Sequence, residues 1–321
     1  MENSIEKQSP KVDIVIPVYK PDKKYDKLME RLGKQTVKSN HIYIINTIPE
    51  QGDKIDVGLK YQSMDNLTVI NIPQKEFDHG GTRNMGIGMS DAEFVMLLTQ
   101  DAVPADKQLI EKMVEPFKNP EVAVSYGRQL ATDEVGMIEA YTRRFNYPEE
   151  SSIKSIKDLK RLGIKTYFCS DVCAMYRRNV HKELGGFETQ TIFNEDMIFA
   201  SKVIKAGYSI AYAANAKVYH AHKYTCKQQF QRNFDMGVSQ RQYHQIFDEV
   251  KSETEGIALV KKTAGYLWDK GCLWKIFELV LQSGCKFLGY RFGKMYDKLP
   301  MWFVKMCSMQ KSYWKKERST L

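Results

Sequence analysis

Val12-Asp-Ile-Val-Ile-Pro17 is a short β-branched run ending at a proline, and it reads as a buried strand. Just downstream, residues 22–35 place Tyr25, Leu28, Met29 and Leu32 at helical spacing. His41–Asn46, Leu67–Ile72 and Glu93–Leu98 are three further apolar runs of strand type, and Thr82–Ser90 between the last two has helical character. Residues 107–117 add a helix and Val122–Ser125 a strand. Strands alternating with helices predict an α/β fold, a mostly parallel sheet covered by helices on both faces. Residues 149–165, charged and serine-rich, read as an exposed loop or short helices, and Ala211–His220 as an extended segment. From about residue 226 the pattern turns helical and stays so. The expected organisation is an α/β unit over 1–225, in two halves meeting near residue 101, and a helical C-terminal region over 226–321.

Charge divides the chain at nearly the same place. Residues 1–250 carry 34 Lys/Arg against 33 Asp/Glu, whereas residues 251–321 carry 14 against 6 and all four tryptophans, Trp268, Trp274, Trp302 and Trp314. Hydrophobic residues at 43% and charged residues at 27% are globular values, which exclude disorder and collagen-like structure. The first ten residues, MENSIEKQSP, lack the apolar run of a secretory signal, and Cys272–Gly289 holds too many polar residues for a spanning helix. Six cysteines are too sparse for a disulfide framework, and Cys169-x3-Cys173 has no second pair at zinc-finger spacing. Reduced thiols and a cytoplasmic setting are expected.

Ligands of open parallel sheets bind beyond the carboxyl ends of the strands. The segments to search are therefore Pro17–Lys20, Asn46-Thr47, Phe77–Gly81 and Thr99-Gln100-Asp101. No P-loop, no G-x-G-x-x-G after the first strand and no G-x-S-x-G elbow is present, which removes P-loop ATP hydrolysis, hydride transfer and serine-ester hydrolysis. Asp101 at a strand mouth suits a divalent cation shared with a diphosphate, although Asp before Val103-Pro104 is also ordinary turn chemistry. Asn194-Glu195-Asp196 opens a helical stretch, with Asn194 as the expected N-cap. Acidic residues there either complement the helix dipole or supply an ionised general base. His220 and His222 lie on one face of a strand end, as metal ligands or as plain polar residues. Arg83, after Gly80-Gly81 at a helix start, suits a phosphate or is a solvated surface arginine.

The order of these segments resembles family 2 glycosyltransferases of the GT-A fold over about residues 11–225. Asp13–Tyr19 resembles the opening strand and nucleotide loop, Gly81–Ile87 the arginine-asparagine helix, Thr99-Gln-Asp101 the D-x-D element, and Gly185-Gly-Phe187 with Asn194-Glu-Asp196 the G-G-F…E-D segment. FDHGGTRN (77–84) and LLTQDAVPAD (97–106) are similar to the rhamnosyltransferase branch that builds bacterial cell-wall and capsular polysaccharides.

The resemblance implies an inverting transfer of a sugar, L-rhamnose from dTDP-L-rhamnose, to a glycan or polyprenyl-linked acceptor. It places Asp196 as base with Glu195 beside it. Asp101 and His220 would hold Mn2+ or Mg2+, with His222 the second choice. Pro17, Tyr19, Asn46, Asp78, Arg83 and Gln100 would line the nucleotide pocket. Thr99 in place of the first D-x-D aspartate leaves one carboxylate on the metal, and Asn46 stands where many members carry an acid. Tyr147, Tyr167, Phe168, Ser170 and Asp171 are candidates for the acceptor pocket.

In the tail, Leu273, Ile276, Phe277, Val280 and Leu281 form an apolar stripe at helical spacing among lysines. That pattern fits peripheral attachment to the cytoplasmic face of an anionic membrane. The alternative packs the stripe on the catalytic unit or on a second copy of the chain. Two rival functions remain at this level: a catalytically silent scaffold on the same fold, supported by Thr99, and a nucleic-acid binder, opposed by the near-neutral body.

Overall fold

In the computed structural model, residues 10–51, 57–61, 64–249 and 253–316 are described. The first half alternates as expected: β1 (Val12–Tyr19), α1 (Lys23–Gly33), β2 (His41–Ile48), α2 (Val57–Lys60), β3 (Leu67–Pro73), α3 (His79–Met89) and β4 (Phe94–Leu98). Then come β5 (Val103–Pro104), α4 (Leu109–Val114), β6 (Val122–Leu130), α5 (Met137–Asn146), β7 (Ser152–Lys154), α6 (Leu159–Leu162), β8 (Cys173–Arg177), α7 (Arg178–Glu183), α8 (Glu195–Lys205) and β9 (Ser209–Tyr219). The C-terminal helices are α9 (Cys226–Gln242), α10 (His244–Phe247), α11 (Glu253–Asp269), α12 (Trp274–Gly293), α13 (Met301–Cys307) and α14 (Tyr313–Lys316).

One mixed sheet runs β3-β2-β1-β4-β8-β6-β9-β5, with β7 also pairing β9. The four N-terminal strands are mutually parallel, and β8 inserts antiparallel between β4 and β6. Strand β8 (CAMYR) is not foreseen in the sequence, because five residues carry little periodic signal. α3 begins at His79 rather than Thr82, since Asp78 caps it by accepting from the Gly81 N–H at 2.6 Å.

β1 is central, and Val12, Ile14, Val15, Ile16 and Val18 are essentially inaccessible. Its side chains enter two core layers: Val15 packs with the Tyr176 and Phe199 layer, while Ile14 and Ile16 pack with Leu28 and Met29 of α1. Asp13 is fully buried in this strand, and its carboxylate is satisfied by Asn40 Nδ2 at 2.8 Å and Ser90 Oγ at 2.6 Å. Pairing with β4 ends at Val15. Beyond that point β1 is open on one side, a place where Pro17 is tolerated.

α12 packs along α9 through small residues. A Cβ on Gly289 would lie 2.2 Å from the Phe230 carbonyl oxygen, and one on Gly293 would lie 2.1 Å from that of Phe234, so only glycine permits this approach. The opposite face of α12 is bare. Phe277 is 81% exposed, Trp274 65% and Leu281 61%, with Leu273 and Val280 also exposed. Of the expected stripe, Ile276 alone packs inward, against the cluster of Ile138, Leu267 and Leu279. Packing of the stripe on the catalytic unit is thus not what the fold does. No helix among the described residues is long and apolar enough to cross a membrane.

Candidate active site

Arg83 lies in the first turns of α3 and is 7% exposed. Its guanidinium points inward, with Nη1 3.1 Å from Glu195 Oε1 and Nε 3.2 Å from Asp171 Oδ2. Nη1 also donates to the His79 carbonyl at 2.8 Å. The sequence sets Arg83 against a diphosphate or on the surface; the structure gives it buried carboxylate partners instead. Asp171, an expected acceptor-pocket residue, is 3% exposed and accepts a hydrogen bond from the Tyr176 hydroxyl. Tyr167, another such candidate, is fully buried.

Asp196 completes this group at the start of α8. Its carboxylate accepts from the Met197 N–H at 2.7 Å and the Asp171 N–H at 3.4 Å. Asn194 does occupy the N-cap position, but with φ +65° and no side-chain hydrogen bond to the helix. Two carboxyl groups, Glu195 and Asp171, thus pair with one guanidinium, and Asp196 stands beside them. Burial raises Asp196 well above the usual carboxylate range, and the neighbouring Glu195 and Asp171 push it further. Burial likewise pushes Asp171 up to about 6. Glu195 is buried too, but the Arg83 charge against it prevails and its carboxyl is held below the usual range. Desolvation and the two neighbouring carboxyl groups thus raise the proton affinity of Asp196 in spite of its place at a helix N-terminus. Asp196 is also the member of the three that keeps partial solvent access.

At the mouth of β4, Asp101 meets both histidines of the β9 end. Asp101 Oδ2 lies 3.5 Å from His220 Nε2 and 3.3 Å from His222 Nε2, and the three potential ligand atoms fall within 4.8 Å of one another. His222 stands as close as His220. Burial lowers both imidazoles below their ordinary pKa, keeping them neutral, the form that ligates metals. His220 Nδ1 is 2.9 Å from Gln129 Oε1, an oxygen that also accepts from Arg143. That acceptor fixes the proton on Nδ1 and leaves the Nε2 lone pair facing Asp101. Gln129 and Arg143 are absent from the sequence expectations, because no local motif marks a residue whose partner lies on a different strand.

The remaining expected residues gather at the carboxyl ends of β1–β3. Gln100 spans β4 and β1, accepting from the Tyr19 N–H at 2.7 Å and donating to the Tyr19 carbonyl at 3.0 Å. The Tyr19 hydroxyl donates to Gln74 Oε1 at 3.4 Å. Asn46 donates to Asn71 Oδ1 at 2.8 Å, and Pro17 pairs with Ile45 in the adjoining strand. Beside them a cavity of about 450 Å³ is lined by Pro49, Glu50, Asn71, Gln74 and Lys75. Asp78 is taken up by backbone, accepting from the Gly81 N–H and, at 2.9 Å, from the Gln190 N–H.

The family model described as "Glycosyl transferase family 2" matches residues 13–185. Two curated relatives are each 36% identical and cover 95% of this chain and 96% of their own length: the O-antigen chain rhamnosyltransferases RfbN of Salmonella typhimurium and WbaN of Salmonella anatum. Among solved structures, the mannosyltransferase PcManGT from Pyrobaculum calidifontis, in complex with GDP-Man and Mn2+, covers 95% of this chain and 88% of its own at 12% identity and TM-score 0.56. S. aureus TarS 1-349 covers 90% of this chain and 91% of its own at 16% identity and TM-score 0.53. The fold is α/β of the GT-A class with a helical C-terminal region. Sequence and architecture together show that the chain belongs to glycosyl transferase family 2 and is a glycosyltransferase.

Proposed function

We propose that the chain is an inverting rhamnosyltransferase that moves L-rhamnose from dTDP-L-rhamnose to a glycan carried on a polyprenyl lipid, in the synthesis of a bacterial surface polysaccharide. The 36% identity to two O-antigen chain rhamnosyltransferases over nearly the whole chain supports the donor assignment. One observation carries the site: a carboxyl of high proton affinity, Asp196, sits beside an ionised Glu195 neutralised by Arg83.

In this reading the nucleotide lies across the ends of β1, β2 and β4, with its base toward Asn46, Asn71 and Gln74. Tyr19, locked by Gln100, shapes the floor. Asp101, His220 and His222 would hold a divalent cation, and their donor set fits one: a carboxylate oxygen and two neutral imidazoles. Two nitrogen ligands favour Mn2+ over Mg2+, which prefers oxygen. Such a cation would supply neutralisation of the charge on a departing diphosphate. Asp196 takes the proton of the acceptor hydroxyl as that oxygen attacks the anomeric carbon. Its raised proton affinity suits that role, since a more basic carboxylate takes up the hydroxyl proton more readily. Arg83 keeps Glu195 ionised and limits how far Asp196 is raised, so it orients and tunes the pair.

The bare face of α12 completes the reading. Trp274, Phe277 and Leu281 on α12, with Trp268 and Trp302 on either side, present apolar and aromatic surface beside exposed Lys270, Arg291 and Lys298. That combination matches an anionic lipid surface, where a lipid-linked acceptor would be met.

The test is calorimetry of dTDP-rhamnose with and without Mn2+, on the wild type and Asp101→Ala. Metal-dependent binding that disappears in the variant is the expected result. Preference for another sugar nucleotide would overturn the donor, and no binding of any donor would return the chain to the silent scaffold.

A further inference from the structure

On the far side of His79 from Glu195 lies a second cavity, of about 420 Å³, within the range of small-molecule sites. Three separate pieces of chain build it: Glu76–Gly81 at the start of α3, residues 189–192 before α8, and Gln310, Ser312 and Tyr313 near the C-terminus. Its lining holds two carboxylates, Glu76 and Asp78, and no lysine or arginine. A phosphate or diphosphate would be repelled there. What remains is a set of amides, hydroxyls and carboxylates together with the rings of Phe77 and Tyr313. Such groups satisfy the hydroxyls of a neutral pyranose as donors and acceptors and cover its apolar face.

The cavity adjoins the carboxylate pair. His79 forms part of its wall, with Nδ1 3.8 Å from Glu195 Oε1 and Nε2 3.4 Å from the Gln310 amide nitrogen. Strain marks the same place. Gln190 has φ +58° and Asn194 φ +65°, left-handed values that non-glycine residues adopt uncommonly. Gln190 lies within the lining segment, and Asn194 lies between that segment and Glu195-Asp196. The C-terminal wall is fastened in position. Asp235 on α9, 1% exposed, accepts from the Met309 N–H at 2.9 Å and the Gln310 N–H at 3.2 Å, and Trp314 is buried against Tyr296.

We infer that this cavity is the subsite for the acceptor sugar, a neutral pyranose, and that the C-terminal segment 310–313 is a functional wall of it. The inference rests on the transferase reading above: the bound sugar belongs to the acceptor glycan, held next to the Glu195–Arg83 pair with His79 between them. It also gives the C-terminal region a part in acceptor choice, in addition to any attachment role.

Saturation-transfer NMR on the full chain with methyl glycosides of galactose, glucose, mannose and rhamnose tests it, alongside titration of dTDP with Mn2+ on the same samples. Wild type should bind at least one glycoside. Glu76→Ala, an exposed position, and Gln310→Ala should each weaken that binding about fivefold to tenfold while leaving dTDP binding unchanged. A wild type that binds dTDP but no glycoside, or variants that bind the glycoside as wild type does, would overturn the cavity assignment. Glycoside binding lost in both variants, in a chain that never binds dTDP, would uphold the cavity and sink the donor reading instead.

Discussion

Arg83 of α3 and Glu195 of α8, two helices that pack into the same core layer, meet at 3.1 Å and are both nearly inaccessible. The guanidinium faces Asp171 as well, so removing it would strand negative charge in the interior. Arg83→Met should lower unfolding free energy by about 3–5 kcal/mol at pH 7, the cost of an uncompensated buried charge. Urea denaturation at two pH values checks this. The deficit should shrink at pH 5, where the stranded carboxyls take up protons, and a deficit unchanged by pH would contradict it.

Asp196→Asn separates catalysis from stability. Turnover should fall about 10²–10⁴-fold with nucleotide binding intact. The folded-state pKa of Asp196 lies above its unfolded value, so the wild type is penalised as pH rises through the folded pKa. The variant should therefore be the more stable protein at pH 8, with the difference vanishing near pH 4. Thermal melts across that range would show the crossing, and wild-type activity should rise with pH over the same titration.

Gln129 touches no proposed ligand atom other than through His220 Nδ1. Gln129→Leu removes the acceptor that fixes the tautomer and should weaken Mn2+ binding about 10–100-fold. Electron paramagnetic resonance of free Mn2+ reads this directly, and unchanged affinity would remove Gln129 from the account of the metal site.

Asp235 is a pH-sensitive fastening. Burial pushes its carboxyl up to about 6 against the lowering influence of its hydrogen bonds. Because the folded pKa exceeds the unfolded one, its contribution favours the fold at low pH and is lost between about 4 and 6 as pH rises, on the order of 3 kcal/mol at most. Asp235→Asn should flatten the pH dependence of stability in that window. Hydrogen exchange at Met309 and Gln310 would report it locally.

The bare face of α12 can be altered without touching the core. Phe277→Glu with Leu281→Glu should abolish flotation with vesicles containing anionic phosphatidylglycerol while leaving the melting temperature within about 2 °C, since surface changes rarely exceed 0.5 kcal/mol. Retained flotation would exclude this face as the attachment surface.

Strands β1–β4 and helices α1 and α3 were legible because each is a local pattern of apolar runs or helical spacing; the Asp78 cap that starts α3 at His79 was not. The candidate metal ligands Asp101 and His220 and the candidate base Asp196 could be named from the sequence for a related reason, lying at strand ends or a helix start and where motif order marks them. β8 was not, being a five-residue run, CAMYR, too short to show a period, and neither was the orientation of Arg83. A sequence specifies that an arginine begins a helix; whether it faces phosphate or carboxylates depends on what α8 and β8 bring to it. The tail shows the same division. Its apolar stripe and its lysines are written in residues 268–305, but the stripe is exposed because α12 turns Gly289 and Gly293, not Phe277, toward α9. Periodicity determines which residues share a face. Which face meets a partner is settled by long-range packing, where the closest backbone approach wins.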